Sequence, residues 1–135
     1  MLSQIDWSKT LRIKTDEIDD LRYIAYTYIQ QGRYDVALNV FDALWVLTTP
    51  NAYDLQTLGA LHLELGHNQK ALELLDLALN QEPGHVLTQL NRAKALFSLG
   101  KQEQGLIQAG GLVASGDPAV ASQASALILA FGTMR

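Results

Sequence analysis

The sequence predicts an all-α protein in which a pair of helices is repeated three times. Apolar residues recur at spacings of three and four along the chain, as they do on one face of a helix, and no segment alternates strictly as a half-buried strand does. Gly32, Gly66 and Gly100 follow one another at intervals of 34 residues. A chain of 135 residues is long enough for one core or one short repeat array.

The repeat extends to positions other than the glycines. If each glycine is placed at position 15, small residues fall at positions 8 and 20 of every unit: Ala25, Gly59 and Ala93, and then Ala37, Ala71 and Gly105. Small residues at these positions let two antiparallel helices approach closely, and the glycine lets the chain turn between them. Pro50, Pro83 and Pro118 close the units, because proline cannot continue a helical hydrogen-bond ladder.

This pattern resembles the tetratricopeptide repeat (TPR), a helix–turn–helix unit of about 34 residues. The second unit matches best, with Leu55, Leu58, Gly59, His62, Ala71, Leu75, Ala78 and Pro83; the first matches at Leu21, Ile24, Ala25, Tyr28, Ala37 and Phe41. The third is degenerate, since Gln89 and Arg92 replace apolar residues and Ala109 replaces the aromatic one. The resemblance implies a TPR superhelix of three helix–turn–helix repeats with a C-terminal capping helix.

The repeat register divides the chain into five segments. They are an N-terminal arm or short extra helix (1–17), three repeats (18–51, 52–85 and 86–117) and the capping helix (118–132). Asp117 is a good N-cap and Pro118 a good first helical residue. An apolar face of this last helix comprises Val120, Ala124, Leu127, Ile128 and Phe131.

Candidate catalytic and metal-binding groups are few, and we expect no enzyme, no metal site and no cofactor. His62, His67 and His85 form no HExxH motif; His62 takes a position where TPRs usually have tyrosine and is expected to be a packed or partly exposed ring. The acidic run 16–20 lacks the glycine and final glutamate of an EF-hand loop and suits the first turn of a helix. Segment 110–116 lacks the Gly-Lys-Ser/Thr of a phosphate loop.

Composition predicts a soluble, cytosolic protein. The net charge of -4 and the lack of a Lys/Arg cluster argue against nucleic acid as a partner. The chain has no cysteine, the N-terminus lacks an apolar signal-peptide core, and the apolar run 124–131 is far shorter than the ~20 residues that cross a bilayer. We therefore expect no membrane insertion.

The TPR resemblance implies a concave groove that binds a protein client as an extended or helical segment. On the family pattern, the candidate partner-binding residues are Arg22, Tyr23, Tyr26, Ile29, Tyr53, Gln56, Leu63, Leu87, Leu90, Lys94 and Phe97. Rigid aromatic side chains suit this role because they bury area at little entropic cost. Alternatively, Ile29, Leu63 and Phe97 pack between helices. The basic clamp with which some TPR proteins grip a C-terminal carboxylate is absent, so we expect an internal, partly apolar client segment.

A narrower resemblance is to the small acidic TPR chaperones of bacterial type III secretion. The matching residues are Ala37, Phe41, Leu44, Leu47, Pro50, Leu58 and Gly59. The resemblance implies a cytoplasmic chaperone that holds an export substrate, whether a translocator, a needle-type subunit or another secretion component. The alternative is a general TPR scaffold or assembly adaptor in another complex. Residues 119–134 include no charged side chain, which predicts a homodimer or partner contact through residues 119–131.

Overall fold

The computed structural model describes residues 15–132, and every regular element in that range is an α-helix. The helices are α1 (Thr15–Gln30), α2 (Tyr34–Leu47), α3 (Ala52–Glu64), α4 (Asn68–Gln81), α5 (Val86–Ser98), α6 (Gln102–Gly110) and α7 (Pro118–Phe131). The predicted all-α fold of paired helices with a closing helix is confirmed. Most of the predicted N-terminal arm, residues 1–14, lies outside the described residues. None of the helices between residues 15 and 132 is long and apolar enough to cross a membrane.

The chain divides into two compact units, residues 1–54 and residues 55–135. In the first unit α1 packs against α2. The apolar residues buried there are Ile18, Ala25, Ala37, Phe41 and Leu44. Ala25 and Ala37 are fully buried, as expected for the small residues of positions 8 and 20.

The second unit is built around α5, which packs against α4, α6 and α7. One cluster of buried side chains joins α4 to α5 through Ala71, Leu72, Leu75, Ala95 and Leu96. Two further clusters hold α6 and α7 to α5, one around Leu90, Leu112, Val120 and Ala124 and the other around Ala93, Phe97 and Ala109. The closing helix α7 is therefore part of the hydrophobic core and not an appendage.

The three repeat glycines adopt the same left-handed backbone conformation. Gly32, Gly66 and Gly100 have φ values of 73°, 80° and 76°. At each turn the residue after the glycine donates its N–H to the carbonyl five residues before it, as in Arg33 to Tyr28, His67 to His62 and Lys101 to Leu96. The glycine N–H bonds the carbonyl three residues back, which completes a Schellman motif at the end of α1, α3 and α5.

Glycine is also required inside two helices, where neighbouring helices approach closely. A Cβ atom on Gly59 in α3 would lie 2.8 Å from Cδ2 of Leu75 in α4. A Cβ atom on Gly105 in α6 would lie 2.8 Å from Cδ1 of Phe97 in α5. Both distances are shorter than carbon atoms tolerate, so the leucine or the phenylalanine would have to move. These are positions 8 and 20 of the repeat, and the expected close approach is observed.

The last helix begins as its sequence predicts. Asp117 is the N-cap of α7, and its Oδ1 accepts hydrogen bonds from the N–H groups of Ala119 (3.0 Å) and Val120 (3.3 Å). Pro118 occupies the first helical position, where no intrahelical N–H bond is lost. Val120 and Ala124 are buried, which anchors this helix by its apolar face.

We predict opposite effects on stability for the same substitution at two glycines. Gly66→Ala forces a β-carbon into a left-handed conformation and should lower the free energy of unfolding by about 1–2 kcal/mol. Gly110→Ala, near the end of α6 with no atom within 4 Å of the added Cβ, should raise it by about 0.5–1 kcal/mol. Urea denaturation monitored by circular dichroism measures both; equal effects would contradict this account of the turn.

Candidate partner-binding surfaces

Arg22, a predicted partner-binding residue of the first unit, is held by carboxylates of the chain itself. Its Nε donates to Oδ1 of Asp54 at 2.8 Å, and a terminal nitrogen donates to Oδ2 of the same carboxylate at 2.9 Å. The other terminal nitrogen donates to Oδ1 of Asp19 at 3.0 Å. The Asp54 side chain is only 5% exposed and that of Arg22 is 18% exposed. This bidentate ion pair makes Arg22 part of the scaffold.

Asp54 has a second role at the start of α3. Its backbone N–H donates to Oδ1 of Asn51 at 2.8 Å, while its Oδ2 accepts from the backbone N–H of Asn51 at 3.1 Å. This reciprocal pair is a capping box, which satisfies N–H groups that a helix start leaves without partners. Asp54 is not among the residues predicted from the sequence, although the Asn-x-x-Asp spacing directly after Pro50 is a recognisable signal for such a cap.

The Arg22 guanidinium keeps its positive charge over the ordinary pH range. The hydrogen bond to the Asp54 carboxylate, opposed by partial burial, raises the pKa of Arg22 above its usual value. A raised pKa in the folded state stabilises the protein at every pH below the unfolded pKa, and that contribution is lost only when the pH rises through the folded pKa. Both pKa values of Arg22, folded and unfolded, lie in the strongly alkaline range. Arg22 therefore stays charged between about pH 6 and 9.

Three predicted tyrosines of the first unit are exposed, namely Tyr23 and Tyr26 on α1 and Tyr53 at the start of α3. The phenol oxygen of Tyr26 accepts a hydrogen bond of 3.0 Å from Nε2 of Gln30, one turn later on the same helix. Ile29 is half-buried. The first unit therefore presents aromatic rings to solvent, and Tyr26 has a partner that restricts its orientation.

In the second unit, four predicted residues reach the surface to different degrees. Leu87 is exposed, and Gln56, Leu63 and Lys94 are half-buried. Nε2 of Gln56 donates to Oε2 of Glu82 at 2.9 Å, and Nζ of Lys94 donates to Oε1 of Gln123 at 3.0 Å. Leu63 packs against the cluster that joins α4 to α5, so only part of it is accessible to a ligand.

Leu90 and Phe97, also predicted to contact the partner, are buried in the core of the second unit. Leu90 packs with Leu112, Val120 and Ala124. Phe97 stacks on Phe131 of α7, with ring centroids 4.9 Å apart and ring planes 10° apart. α7 and the segment after α6 cover the face of α5 on which they lie, so Phe97 takes the alternative position between helices, and a partner contact of either residue stays a prediction.

The closing helix leaves one large apolar side chain exposed to solvent. Leu129 is exposed, whereas Val120 and Ala124 on the opposite face of α7 are buried. The predicted contact of residues 119–131 with a second copy or a partner is therefore sterically available through Leu129, and it stays a prediction.

The fold has clear counterparts among solved structures. No protein-family model and no curated protein sequence matches the chain. The chain is similar to PcrH from Pseudomonas aeruginosa, with 25% identity, a TM-score of 0.73 and coverage of 89% of this chain and 95% of that chain. It is likewise similar to PcrH in complex with the chaperone binding region of PopD, at 24% identity and a TM-score of 0.76, with 89% and 94% covered.

A third similar structure is that of SycD, a type III secretion chaperone of Yersinia enterocolitica, in complex with a peptide of the translocator YopD. The identity is 25% and the TM-score 0.70, and the match covers 87% of this chain and 97% of that chain. The resemblance to type III secretion chaperones that the sequence predicts is thus confirmed in three dimensions.

The two carboxylates that hold Arg22 allow a matched test of its structural role. Asp54→Asn removes the charge from a buried pair and should lower the free energy of unfolding by about 2–3 kcal/mol, because a partly buried guanidinium loses its counter-charge. Asp19→Asn alters a carboxylate that is 65% exposed and should change it by less than about 0.5 kcal/mol. Urea midpoints at neutral pH measure both values; similar losses for the two variants would contradict the assignment of Asp54 as the dominant partner.

Proposed function

We propose that the chain is a cytoplasmic type III secretion chaperone that holds an apolar segment of an export substrate before secretion. The observation that carries the proposal is the likeness, over almost the whole of both chains, to chaperones solved with peptides of translocators. A translocator is therefore the favoured class of client. The role requires binding and release of a protein segment and no covalent chemistry.

The accessible side chains suit such a client. Tyr23, Tyr26 and Tyr53 have flat rings that bury area against apolar or backbone groups and phenol oxygens that remain hydrated at the rim. Leu87 adds an aliphatic contact in the second unit. Because these rings are stiff, a bound segment loses little side-chain entropy on their side of the interface.

Charge narrows the kind of segment that would bind. Asp16, Glu17, Asp19 and Asp20 in the first turns of α1 are exposed, and the whole chain is acidic. Like-charge repulsion disfavours acidic client segments. Arg22 is already paired with Asp54, so it is not available as an anchor for a terminal carboxylate. An internal, apolar and neutral or basic segment fits these groups best.

We expect Tyr26→Ala and Tyr53→Ala to weaken client binding by at least about tenfold, which is ~1.4 kcal/mol. Trp45→Ala is the matched control, because Trp45 on α2 is 45% exposed and the two tyrosines are each 43% exposed. Tyr26→Phe keeps the ring and should retain affinity within about threefold, since the buried area supplies the energy.

The measurement uses a purified apolar segment of a translocator encoded next to the chaperone gene, titrated by isothermal calorimetry. Co-expression should also raise the soluble fraction of the full-length translocator. Binding that is unaffected by both tyrosine variants, or a client that is equally soluble alone, would rule out the proposal. Simultaneous binding of two folded partners would favour a scaffold instead.

A further inference from the structure

The turn after α3 brings two imidazole rings together. Nδ1 of His62 and Nδ1 of His67 are 3.0 Å apart, the ring centroids are 5.3 Å apart, and the ring planes are inclined by 44°. His67 is exposed and His62 is half-buried, so both rings are within reach of small solutes. The pair lies across the loop of Gly66, in the second unit.

The backbone positions these rings independently of any attraction between them. The N–H of His67 donates to the carbonyl of His62 at 2.9 Å as the long bond of the Schellman motif. In the first turn the same two positions hold Tyr28 and Arg33, and the guanidinium carbon lies 5.3 Å from the ring centroid. A Schellman turn thus places these two side chains against each other, and in the turn of Gly66 both of them are metal-ligating residues.

Where the Nδ1 atoms of two neutral imidazoles face each other, only one of these two atoms carries a proton, because one nitrogen must donate and the other accept. When both rings instead carry their proton on Nε2, both Nδ1 lone pairs are available to one metal ion, which takes the place of the hydrogen bond without a net loss of protons. With metal–nitrogen bonds of about 2.0–2.1 Å, ligands at right angles are about 2.9 Å apart and tetrahedral ligands about 3.3 Å apart. The observed 3.0 Å fits the right-angled arrangement, which is the preference of Ni²⁺ and Cu²⁺.

We propose that His62 and His67 form a two-histidine binding site for a divalent ion of the nickel and copper class. Within residues 15–132 no three His, Cys, Asp or Glu side chains are grouped closely enough to hold a metal ion, so water completes the coordination. The ion is consequently exchangeable. It ties the last turn of α3 to the first turn of α4 and stabilises the reversal between them.

The site is tested on the full chain, free of any affinity tag, by calorimetric titration with NiCl2. The parent should bind one equivalent of Ni²⁺. Two variants should each weaken binding on the order of a hundredfold, namely His67→Asn and His62→Tyr. Tyrosine is the residue that the first repeat has at the position of His62. Each variant leaves one imidazole ligand, so the ion no longer gains a second intramolecular metal–nitrogen bond. His85→Asn is the control, since asparagine can keep the capping role of His85 at the start of α5.

A second readout separates loss of the site from loss of folding. Excess Ni²⁺ should raise the melting temperature of the parent and of His85→Asn, and it should leave the melting temperature of His67→Asn unchanged. Without metal, all the variants should have the helical circular dichroism of the parent. Binding to the parent no tighter than to His67→Asn, or an equal loss in His85→Asn, would overturn the proposal. Neither outcome bears on client binding, so the two proposals fail separately.

Discussion

Between residues 15 and 132 the chain reverses three times at a residue with positive φ, and the rest of the structure depends on that constraint. Only glycine adopts this conformation without a steric penalty, and Gly32, Gly66 and Gly100 do so with nearly the same angle. The reversal sets the helices of a pair side by side. Close approach then demands a small residue at the crossing, which explains the contact of Gly59 with Leu75 and of Gly105 with Phe97.

A second constraint acts at the start of α3. The Asp54 carboxylate is shared between a capping box and the Arg22 guanidinium, so one side chain satisfies the helix start and fixes α1 to it. A group with these two roles is buried and is not available to a client. The surface left for binding in the first unit is consequently aromatic and acidic, with Tyr23, Tyr26 and Tyr53 exposed.

The helix that closes the array decides which of the predicted partner-binding residues of α5 are exposed. In a continuing array the exposed face of α5 would meet another repeat, whereas here α7 covers Leu90 and Phe97 with Val120, Ala124 and Phe131. Leu87 stays accessible. The positions of the TPR pattern therefore predict which face of a helix binds a partner, but they do not predict which side chains of that face are exposed.

The sequence by itself determined the helix pairs, the turn glycines and the N-cap of α7, because these depend on residues close together in the chain. It also predicted the resemblance to secretion chaperones, through the spacing of Ala37, Phe41, Pro50 and Gly59. Only the tertiary structure decided that Arg22 pairs with Asp54 and that Phe97 stacks on Phe131. Partners 32 and 34 residues apart meet through the packing of whole helices, and no local pattern specifies which side chains that packing covers.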